Sequence, residues 1–291
     1  MRKFLLLCFF LLFSVMLHAQ WWDEGTFDWS NAEELVPGIE YAHLQKDQPR
    51  LMKIWVMRVD LDKKFVFHTA QKAGNYGELI QTHKSRNLKV HTLRQKTADF
   101  MMEHRKNGVD MVAAVNAAPW SPWDNIPSPY ASNLGLLINN GEVVSPVLRG
   151  RPSFVVWKNG KVGLQVFKAE DKLDDIQMAV TGFGFALVDG KVVKTGNALA
   201  PRTGFGLDEK NRYLYLVVVD GRQKDFSMGC SVQEVGSLLK YFGAYTGVNM
   251  DGGGSSSFVI WDGSKAAMLN HQPRGVVRAV GASLGISMPE K

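Results

Sequence analysis

The last third of the chain contains a strand–helix–strand pattern, which restricts the possible folds more than any other feature. Residues 213–219 form a nearly continuous apolar run that ends at Asp220, as expected for a strand covered on both faces. Residues 231–243 begin with the serine and glutamate of a capping box and end at a glycine, which predicts a helix. A second strand is predicted over residues 245–250, ending at Asp251. The connection is long enough to make the two strands parallel.

Asp220 and Asp251 therefore follow the carboxyl ends of two predicted parallel strands. If the strands are adjacent, both aspartates lie on the same edge of the sheet. Ligands of open α/β sheets bind in the crevice outside this edge.

The rest of the chain predicts further strands and one more helix. Residues 51–69 alternate apolar and polar side chains around a turn at 60–63, which predicts a β-hairpin. Residues 92–106 have helical spacing. The apolar run 111–115 predicts a buried strand that places Asn116 at its end.

Residues 135–185 contain short apolar runs, and turn pairs mark the middle of the chain. The pairs are Asn140-Gly141, Asn159-Gly160 and Asp189-Gly190. Such pairs favour the positive φ angles of tight hairpins, so this region should be antiparallel sheet. The expected fold class is α+β or mixed α/β, with a mixed sheet that carries the strand–helix–strand unit in its C-terminal half.

The N-terminus has the layout of a secretory signal peptide. Arg2 and Lys3 precede an apolar stretch over residues 4–17, which is too short to span a bilayer, and small or polar residues follow. We expect a signal peptide over 1–19, an aromatic and acidic lead-in over 20–37 that either packs on the body or stays mobile, and a single domain over 38–291. The expected location is periplasmic or extracellular, with no stable membrane span.

Composition excludes several classes of protein. Apolar residues make up 45% of the chain and aromatic residues 11%, which excludes a disordered protein. The net charge of +6 includes Arg2 and Lys3, and no dense basic run predicts nucleic-acid binding. Of the two cysteines, Cys8 lies in the signal and Cys230 remains alone, so the core and not a disulfide must hold the fold. Cys230 is interpreted as a buried structural thiol rather than a nucleophile.

A glycine-rich loop follows the second strand of the pattern. Gly252, Gly253 and Gly254 come directly after Asp251, and Ser255, Ser256 and Ser257 follow. Consecutive glycines are usual where the backbone needs positive φ or lies close to a ligand. Such a loop can direct several N–H groups at one anion, although an isolated run of three glycines is as often a flexible turn. The spacing is neither that of a P-loop nor that of a dinucleotide fingerprint.

Arginines cluster around the same predicted sheet edge. Arg202 and Thr203 precede the 213–219 strand, Arg222 follows it, and Arg278 is a third candidate near the C-terminus. The planar guanidinium group suits a phosphodiester or a carboxylate. Each arginine alone is explained as well by a surface ion pair; their concentration at one edge favours a binding site.

The chain resembles the phosphodiester glycosidase family. The segments that carry the resemblance occur in the family's order, and they are NAAPW (116–120), SNLGLLINNGEVV (132–144), PRTGFG (201–206), VVVDGR (217–222), MDGGGSSSFV (250–259) and VVRAVGASLGI (276–286). Two departures are present. Ala117 and Ala118 stand where the family usually has two glycines, and Ala200 stands where a histidine often precedes the PRT element, so no role for that histidine carries over.

The resemblance implies an exported hydrolase that cleaves the glycosidic C–O bond of a sugar-1-phosphodiester. The substrate would be a GlcNAc-1-phosphodiester or a phosphate-linked exopolysaccharide. In this hypothesis Asp251 or Asp220 activates water or stabilises the oxocarbenium-like transition state. Arg202 and the amides of the glycine loop hold the phosphate, and Asn116 recognises a hydroxyl or acetamido group, unless it is only a strand-end turn residue.

Besides this hydrolase, the sequence leaves a metal site and two other functions open. No cofactor is expected, and the histidines show no metal-ligand spacing, although Asp220 and Asp251 could share a hard cation. A non-catalytic glycan-binding or surface-assembly protein is the alternative to an enzyme, with Trp120, Trp123 and Tyr130 as an aromatic platform. A phosphodiesterase that cuts the P–O bond is the alternative reaction.

Overall fold

Antiparallel strands make up most of the fold. The computed structural model describes residues 20–23, 25–80, 87–123 and 128–289, so the predicted signal peptide lies outside the described residues. Within these ranges there are two α-helices, α1 Thr97–Lys106 and α2 Val232–Phe242. The strands, in chain order, are β1 Glu33–Val36, β2 Ile39–Lys46, β3 Met52–Asp60, β4 Val66–His68, β5 Thr92–Leu93, β6 Met111–Asn116, β7 Trp120–Ser121, β8 Tyr130–Asn133, β9 Leu137–Asn139, β10 Glu142–Ser145, β11 Pro152–Trp157, β12 Val162–Val166, β13 Ile176–Thr181, β14 Gly184–Val188, β15 Lys191–Val192, β16 Arg202–Leu207, β17 Tyr213–Val219, β18 Thr246–Asn249, β19 Phe258–Trp261, β20 Ala266–Met268 and β21 Ser283–Ser287.

The strands form four sheets. The largest has eight strands in the order β1-β2-β3-β17-β16-β18-β14-β15, two sheets have the orders β10-β9-β13-β11-β12 and β20-β19-β6-β21-β4, and a small one has the order β5-β8-β7. Neighbouring strands in the eight-stranded sheet are antiparallel throughout. The predicted α+β or mixed α/β class is therefore corrected to a mostly-β fold. The strand–helix–strand unit misled the prediction because an antiparallel strand lies between its two strands.

Strand β17 is apolar on both faces because each face packs against a different cluster. Leu216 and Val218 belong to the main core, which lies between the eight-stranded sheet and the two five-stranded sheets. Val217 and Val219 belong to a second cluster, which α2 covers with Leu238. The strand predicted over residues 213–219 is confirmed, and the capping box and final glycine of the helix are present as well.

Strand β16 lies between β17 and β18 and is antiparallel to both. Hence β17 and β18 are parallel to each other, as predicted, but they are not adjacent. Helix α2 packs closely on this part of the sheet, since a β-carbon on Gly204 would lie only 2.5 Å from Val235. The carboxyl ends of β17 and β18 and the amino end of β16 therefore meet at one edge of the sheet.

Two local predictions were wrong. Residues 51–69 do not form a hairpin, because β3 pairs with β2 and β17 while β4 pairs with β21 in another sheet. The helix predicted from residue 92 begins at Thr97, because Thr92 and Leu93 pair with β8. The end of this helix at Asn107 and the strand before Asn116 agree with the prediction.

The predicted hairpins of the middle region are confirmed. Turns join β9 to β10, β11 to β12 and β14 to β15, and each pair of strands is antiparallel. Asn140 and Asp189 have φ angles of 49° and 48° in two of these turns. Positive φ at such positions matches the right-handed twist of the flanking strands.

The lead-in segment packs on the body of the protein. Trp22 is buried in the cluster beneath α2, and the indole N–H of Trp29 donates a hydrogen bond of 3.0 Å to the carbonyl oxygen of Phe242. Trp21 contacts Tyr241 edge to face, with 5.1 Å between ring centroids. Of the two alternatives for this segment, the structure shows the packed one.

Candidate active site

A cleft opens at the sheet edge where β16 begins and where β17 and β18 end. It has a volume of about 290 Å³. We call it the sheet-edge cleft, and its lining residues are Trp120, Trp123, Leu134, Phe183, Ala200, Arg202, Arg222, Asp251, Gly252, Gly253, Gly254, Ser255 and Arg278. The structure thus brings together one predicted aspartate, three predicted arginines and the glycine loop.

Asp251 is the carboxylate of the sheet-edge cleft. Its backbone is fixed on both sides, since its N–H donates to the carbonyl oxygen of Ala117 at 3.0 Å and its carbonyl accepts from Nδ2 of Asn116 at 2.7 Å. Oδ2 is buried without a hydrogen-bond partner among the described residues. Burial raises the pKa of this carboxyl to about 6, although Ser255, the Gly252 backbone, the charge of Arg278 and Trp120 all act in the opposite direction. The group is therefore poised to take up or release a proton near neutral pH.

The glycine loop is held by internal hydrogen bonds. The N–H of Gly253, where φ is +64°, donates to the carbonyl oxygen of Pro201 at 2.8 Å. The N–H groups of Ser255 and Ser256 donate within the loop, and that of Ser257 donates to a buried side chain. These four amides already have acceptors, which argues against a loop that directs all of its N–H groups at one anion.

Arginine side chains occupy the space beside the loop glycines. A β-carbon on Gly253 would lie 3.1 Å from a terminal nitrogen of Arg222, and one on Gly254 would lie 2.8 Å from Cζ of Arg278. The absence of side chains at these glycines lets two guanidinium groups lie directly against the backbone. Neither arginine has a carboxylate ion-pair partner within the described ranges. The loop therefore holds two guanidinium groups at the cleft.

Arg202 forms one wall of the sheet-edge cleft. Its Nε donates to the carbonyl oxygen of Cys230 at 3.2 Å, and Nη2 donates to that of Ala198 at 2.8 Å. Burial lowers the pKa of this guanidinium, and the charge of Arg222 acts in the same direction. Cys230 is buried, as predicted, and burial raises the pKa of its thiol. Two carbonyls thus hold Arg202 in a fixed orientation.

Three predicted substrate-binding residues lie beneath the cleft instead of lining it. Asn116, Thr203 and Ser256 are all buried. Oδ1 of Asn116 accepts from the Thr203 hydroxyl at 2.7 Å and from the N–H of Ser257 at 3.0 Å. Their polar groups form hydrogen bonds inside the protein. The geometry therefore does not support the predicted direct contact with substrate. They hold Asp251 and the loop in place.

Asp220 also lies outside the sheet-edge cleft. It is 1% exposed, and its Oδ1 accepts from Nδ2 of Asn270 at 3.0 Å and from the N–H of His271 at 2.9 Å. Burial raises its pKa to about 6, while Asn270, His271 and Lys53 lower it. Because β16 lies between β17 and β18, the strand ends that carry Asp220 and Asp251 are about 10 Å apart. Of the two aspartates proposed for catalysis, the geometry therefore favours Asp251, which lines the cleft, over Asp220.

The sequence analysis missed the buried amides that support the loop. Nδ2 of Asn270 also donates to the carbonyl oxygen of Ser256, and Nε2 of Gln272 donates to the same oxygen, both at 3.0 Å. Oε1 of Gln272 accepts from the N–H of Arg278 at 2.7 Å. Single amide residues in a loop carry no motif, so no sequence signal pointed to them.

The predicted aromatic platform does not exist as one surface. Trp120 is buried, with the guanidinium of Arg94 4.4 Å from its ring. Tyr130 lines a different cavity. Trp123 is 66% exposed and lines the sheet-edge cleft together with Phe183, which is 47% exposed and was not predicted. Two exposed aromatic rings thus accompany the charged groups.

The two alanines that depart from the family pattern do not face the cleft. Ala117 and Ala118 are buried in the main core. Ala200, which replaces the histidine, lines the cleft and pairs with Cys230 as an isolated bridge. Within the described ranges, no group of three or more His, Cys, Asp and Glu side chains is arranged to hold a metal ion.

The fold and the cleft define a class of mostly-β protein with a carboxylate at the edge of its main sheet, beside arginines that have no carboxylate partner in the part of the chain that the structure describes. The family model for phosphodiester glycosidases matches residues 107–287, more than half of the chain. The chain belongs to the phosphodiester glycosidase family, and the resemblance found in the sequence is confirmed. No curated protein matches the sequence.

Solved structures share the fold. The chain is similar to the catalytic domain of zebrafish N-acetylglucosamine-1-phosphodiester α-N-acetylglucosaminidase, with 16% identity, a TM-score of 0.58 and coverage of 89% of this chain and 86% of that one. A Burkholderia pseudomallei protein named as a candidate exported protein has 14% identity, a TM-score of 0.54 and coverage of 81% and 74%. A Synechocystis protein has 11% identity, a TM-score of 0.60 and coverage of 89% and 63%. No helix in the described part of this chain is long and apolar enough to cross a membrane.

Proposed function

We propose that this protein is an exported hydrolase that cleaves the glycosidic C–O bond of a sugar-1-phosphodiester, releasing a sugar and a phosphomonoester. One observation carries the proposal: Asp251, whose carboxyl has a raised pKa and an unpartnered oxygen, lines the same cleft as Arg222 and Arg278, which have no carboxylate partner among the described residues. The name of the zebrafish relative describes a reaction of this kind. The expected location is periplasmic or extracellular.

The arginines suit a phosphate leaving group. Arg222 lies beside Gly253 and Arg278 beside Gly254, and each can donate two hydrogen bonds to phosphate oxygens. When the C1–O bond breaks, its electron pair leaves on a phosphate oxygen, and fixed positive charge stabilises it. A phosphate is already stable as an anion, so the leaving oxygen needs less help from a general acid than in ordinary glycoside hydrolysis.

Asp251 supplies the carboxylate of the reaction. In its ionised form it accepts a proton from the attacking water as the water oxygen bonds to C1, and it stabilises positive charge on the sugar ring. Asp220 is assigned a positioning role. Its Oδ1 accepts a hydrogen bond from Asn270, which also donates to the loop carbonyl of Ser256. Asn116 fixes the backbone of Asp251 in the same way.

Trp123 and Phe183 are the groups that we assign to the sugar. Both rings are exposed at the sheet-edge cleft, and an aromatic face packs well on the apolar face of a sugar ring. Such rings would serve a glycan-binding protein equally well. The raised pKa of Asp251 favours the enzyme, because binding alone does not need a carboxyl group that titrates near pH 6.

A panel of sugar-1-phosphodiesters tests the proposal. Purified protein should release free sugar and phosphomonoester from at least one diester, and the activity should be lost in Arg278→Gln. Arg212→Gln is a matched control, since Arg212 is half-exposed and pairs with Asp60 and Asp62. Retention of a polysaccharide without any product would identify a binding protein instead.

The activity should depend on pH through Asp251. Its carboxyl must be ionised to accept a proton, and burial raises its pKa to about 6. We expect kcat/KM to fall about tenfold per pH unit below pH 6 and to level off above it. A profile measured between pH 4 and 8 shows this directly. A flat profile down to pH 4.5 would remove Asp251 from the role of base.

A further inference from the structure

A second cleft adjoins the sheet-edge cleft. It has a volume of about 640 Å³ and shares Arg222, Gly254 and Arg278 with the first cleft. Its lining adds Arg94 and Arg274, and no carboxylate belongs to it in the described part of the chain. We call it the arginine cleft. Four guanidinium groups thus surround one cavity that continues directly from the site proposed for the scissile phosphate.

The guanidinium groups of the arginine cleft have no carboxylate in direct contact among the described residues. None of its arginines is in an ion pair within the described residues. Arg94 donates to the carbonyl oxygen of Ser128 at 2.8 Å and lies over the ring of Trp120, so its contacts are uncharged. Burial lowers the pKa of Arg94, and the charge of Arg278 acts in the same direction. Like charges held together without a carboxylate in contact favour a bound anion.

Two arginines of this cavity also have a left-handed backbone conformation. Arg222 and Arg274 have φ angles of +60° and +63°, a conformation that non-glycine residues adopt rarely. Such strain persists only where the surrounding structure enforces it, and it is frequent at ligand sites. In both cases the strained residue places a guanidinium group at the arginine cleft.

We propose that the arginine cleft binds the aglycone side of the diester and that this aglycone carries negative charge of its own. The proposal rests on the proposed function, since it takes the sheet-edge cleft as the site of the scissile phosphate. The substrate class is then an anionic glycan chain, in which a second phosphodiester or an acidic sugar follows the bond that is cleaved. A neutral aglycone would leave Arg94 and Arg274, which line the arginine cleft but not the sheet-edge cleft, without an anionic partner.

Anion binding tests the arginine cleft without any turnover. Titration calorimetry at low ionic strength should show that inorganic tripolyphosphate binds at least about tenfold more tightly than orthophosphate, since it reaches several guanidinium groups at once. Arg274→Gln should weaken tripolyphosphate binding severalfold, Arg274→Lys should weaken it less, and Arg212→Gln should not change it. Equal affinity for the two anions, or an unchanged affinity in Arg274→Gln, would overturn the proposal.

Turnover separates this proposal from the proposed function. The kcat/KM for diesters whose aglycone carries a phosphate or a carboxylate should exceed that for a matched neutral alkyl diester by about tenfold, and the ratio should fall in Arg274→Gln and at high salt. The phosphate and carboxylate arms distinguish the two kinds of anionic chain. Turnover with a ratio of one overturns the anionic aglycone and leaves the hydrolase intact. If no diester is cleaved, the hydrolase falls, and the calorimetry alone supports or overturns the anion site.

Discussion

Asp251→Asn is expected to abolish turnover and at the same time to stabilise the fold at pH 8. The amide cannot accept the proton of the attacking water, so kcat should fall by about a thousandfold. Asparagine has nearly the same shape and carries no charge into the buried position. The variant should therefore fold with an intact cleft, and a melting or denaturant experiment can be run beside the assay.

The gain in stability follows from the direction of the pKa shift. Burial raises the pKa of Asp251 from its ordinary value of 3.8 to about 6. Between these values the folded protein keeps a proton that the unfolded chain has lost, so the stability of the wild type decreases as pH rises through 6. Removing the charge should add about 1 to 3 kcal/mol at pH 8 and almost nothing at pH 4.

Asp262→Asn is the matched control for this experiment. Asp262 is exposed in the turn between β19 and β20, where it accepts hydrogen bonds from Ser264 and Lys265 that lower its pKa. The control should keep full activity and show no gain in stability at pH 8. Full activity in Asp251→Asn, or a loss of stability at pH 8, would contradict the role assigned to the carboxylate.

Asn116→Ala is expected to cause the largest loss of stability. The buried amide donates to the Asp251 carbonyl and accepts from Thr203 and from the N–H of Ser257. The substitution removes these three bonds and leaves buried backbone groups without partners, so the free energy of unfolding should fall by about 3 to 5 kcal/mol. Activity should be lost as well, because the backbones of Asp251 and the loop are no longer fixed.

Asn249→Ala provides a comparison at the same sheet edge. Asn249 is 3% exposed, but its Oδ1 has no hydrogen-bond partner among the described residues. Denaturant unfolding of both variants should show a cost of about 1 kcal/mol for Asn249→Ala, well below that of Asn116→Ala. Equal costs would mean that the hydrogen bonds of Asn116 do not hold the loop.

Local patterns in the sequence predicted individual elements well. The capping box at Ser231 and the glycine at 243 gave the correct ends of α2, because such signals depend on neighbouring residues only. The Asn140-Gly141 turn was correct for the same reason. Pairing was harder, because an alternating pattern does not specify a partner. The alternating pattern therefore predicted that β4 forms a hairpin with β3, whereas β4 pairs with β21, near the C-terminus.

The candidate site was partly predictable, because several of its charged residues stand next to strand ends. Asp251, Arg202 and Arg222 line the cleft as their positions implied. Asp220 has the same relation to its strand but is buried, since its direction depends on packing that the sequence does not show. Arg274 comes from a loop with no motif, and only the folded chain brings it to the arginine cleft.

The position of the bond that breaks tests the central claim most directly. A diester from the panel should be hydrolysed in water enriched in oxygen-18, and both products should be examined by mass spectrometry. Cleavage of the glycosidic C–O bond places the label at C1 of the released sugar and leaves the phosphomonoester unlabelled. Label in the phosphate would show attack at phosphorus and would contradict the assignment of Asp251, Arg222 and Arg278 to glycosidic cleavage.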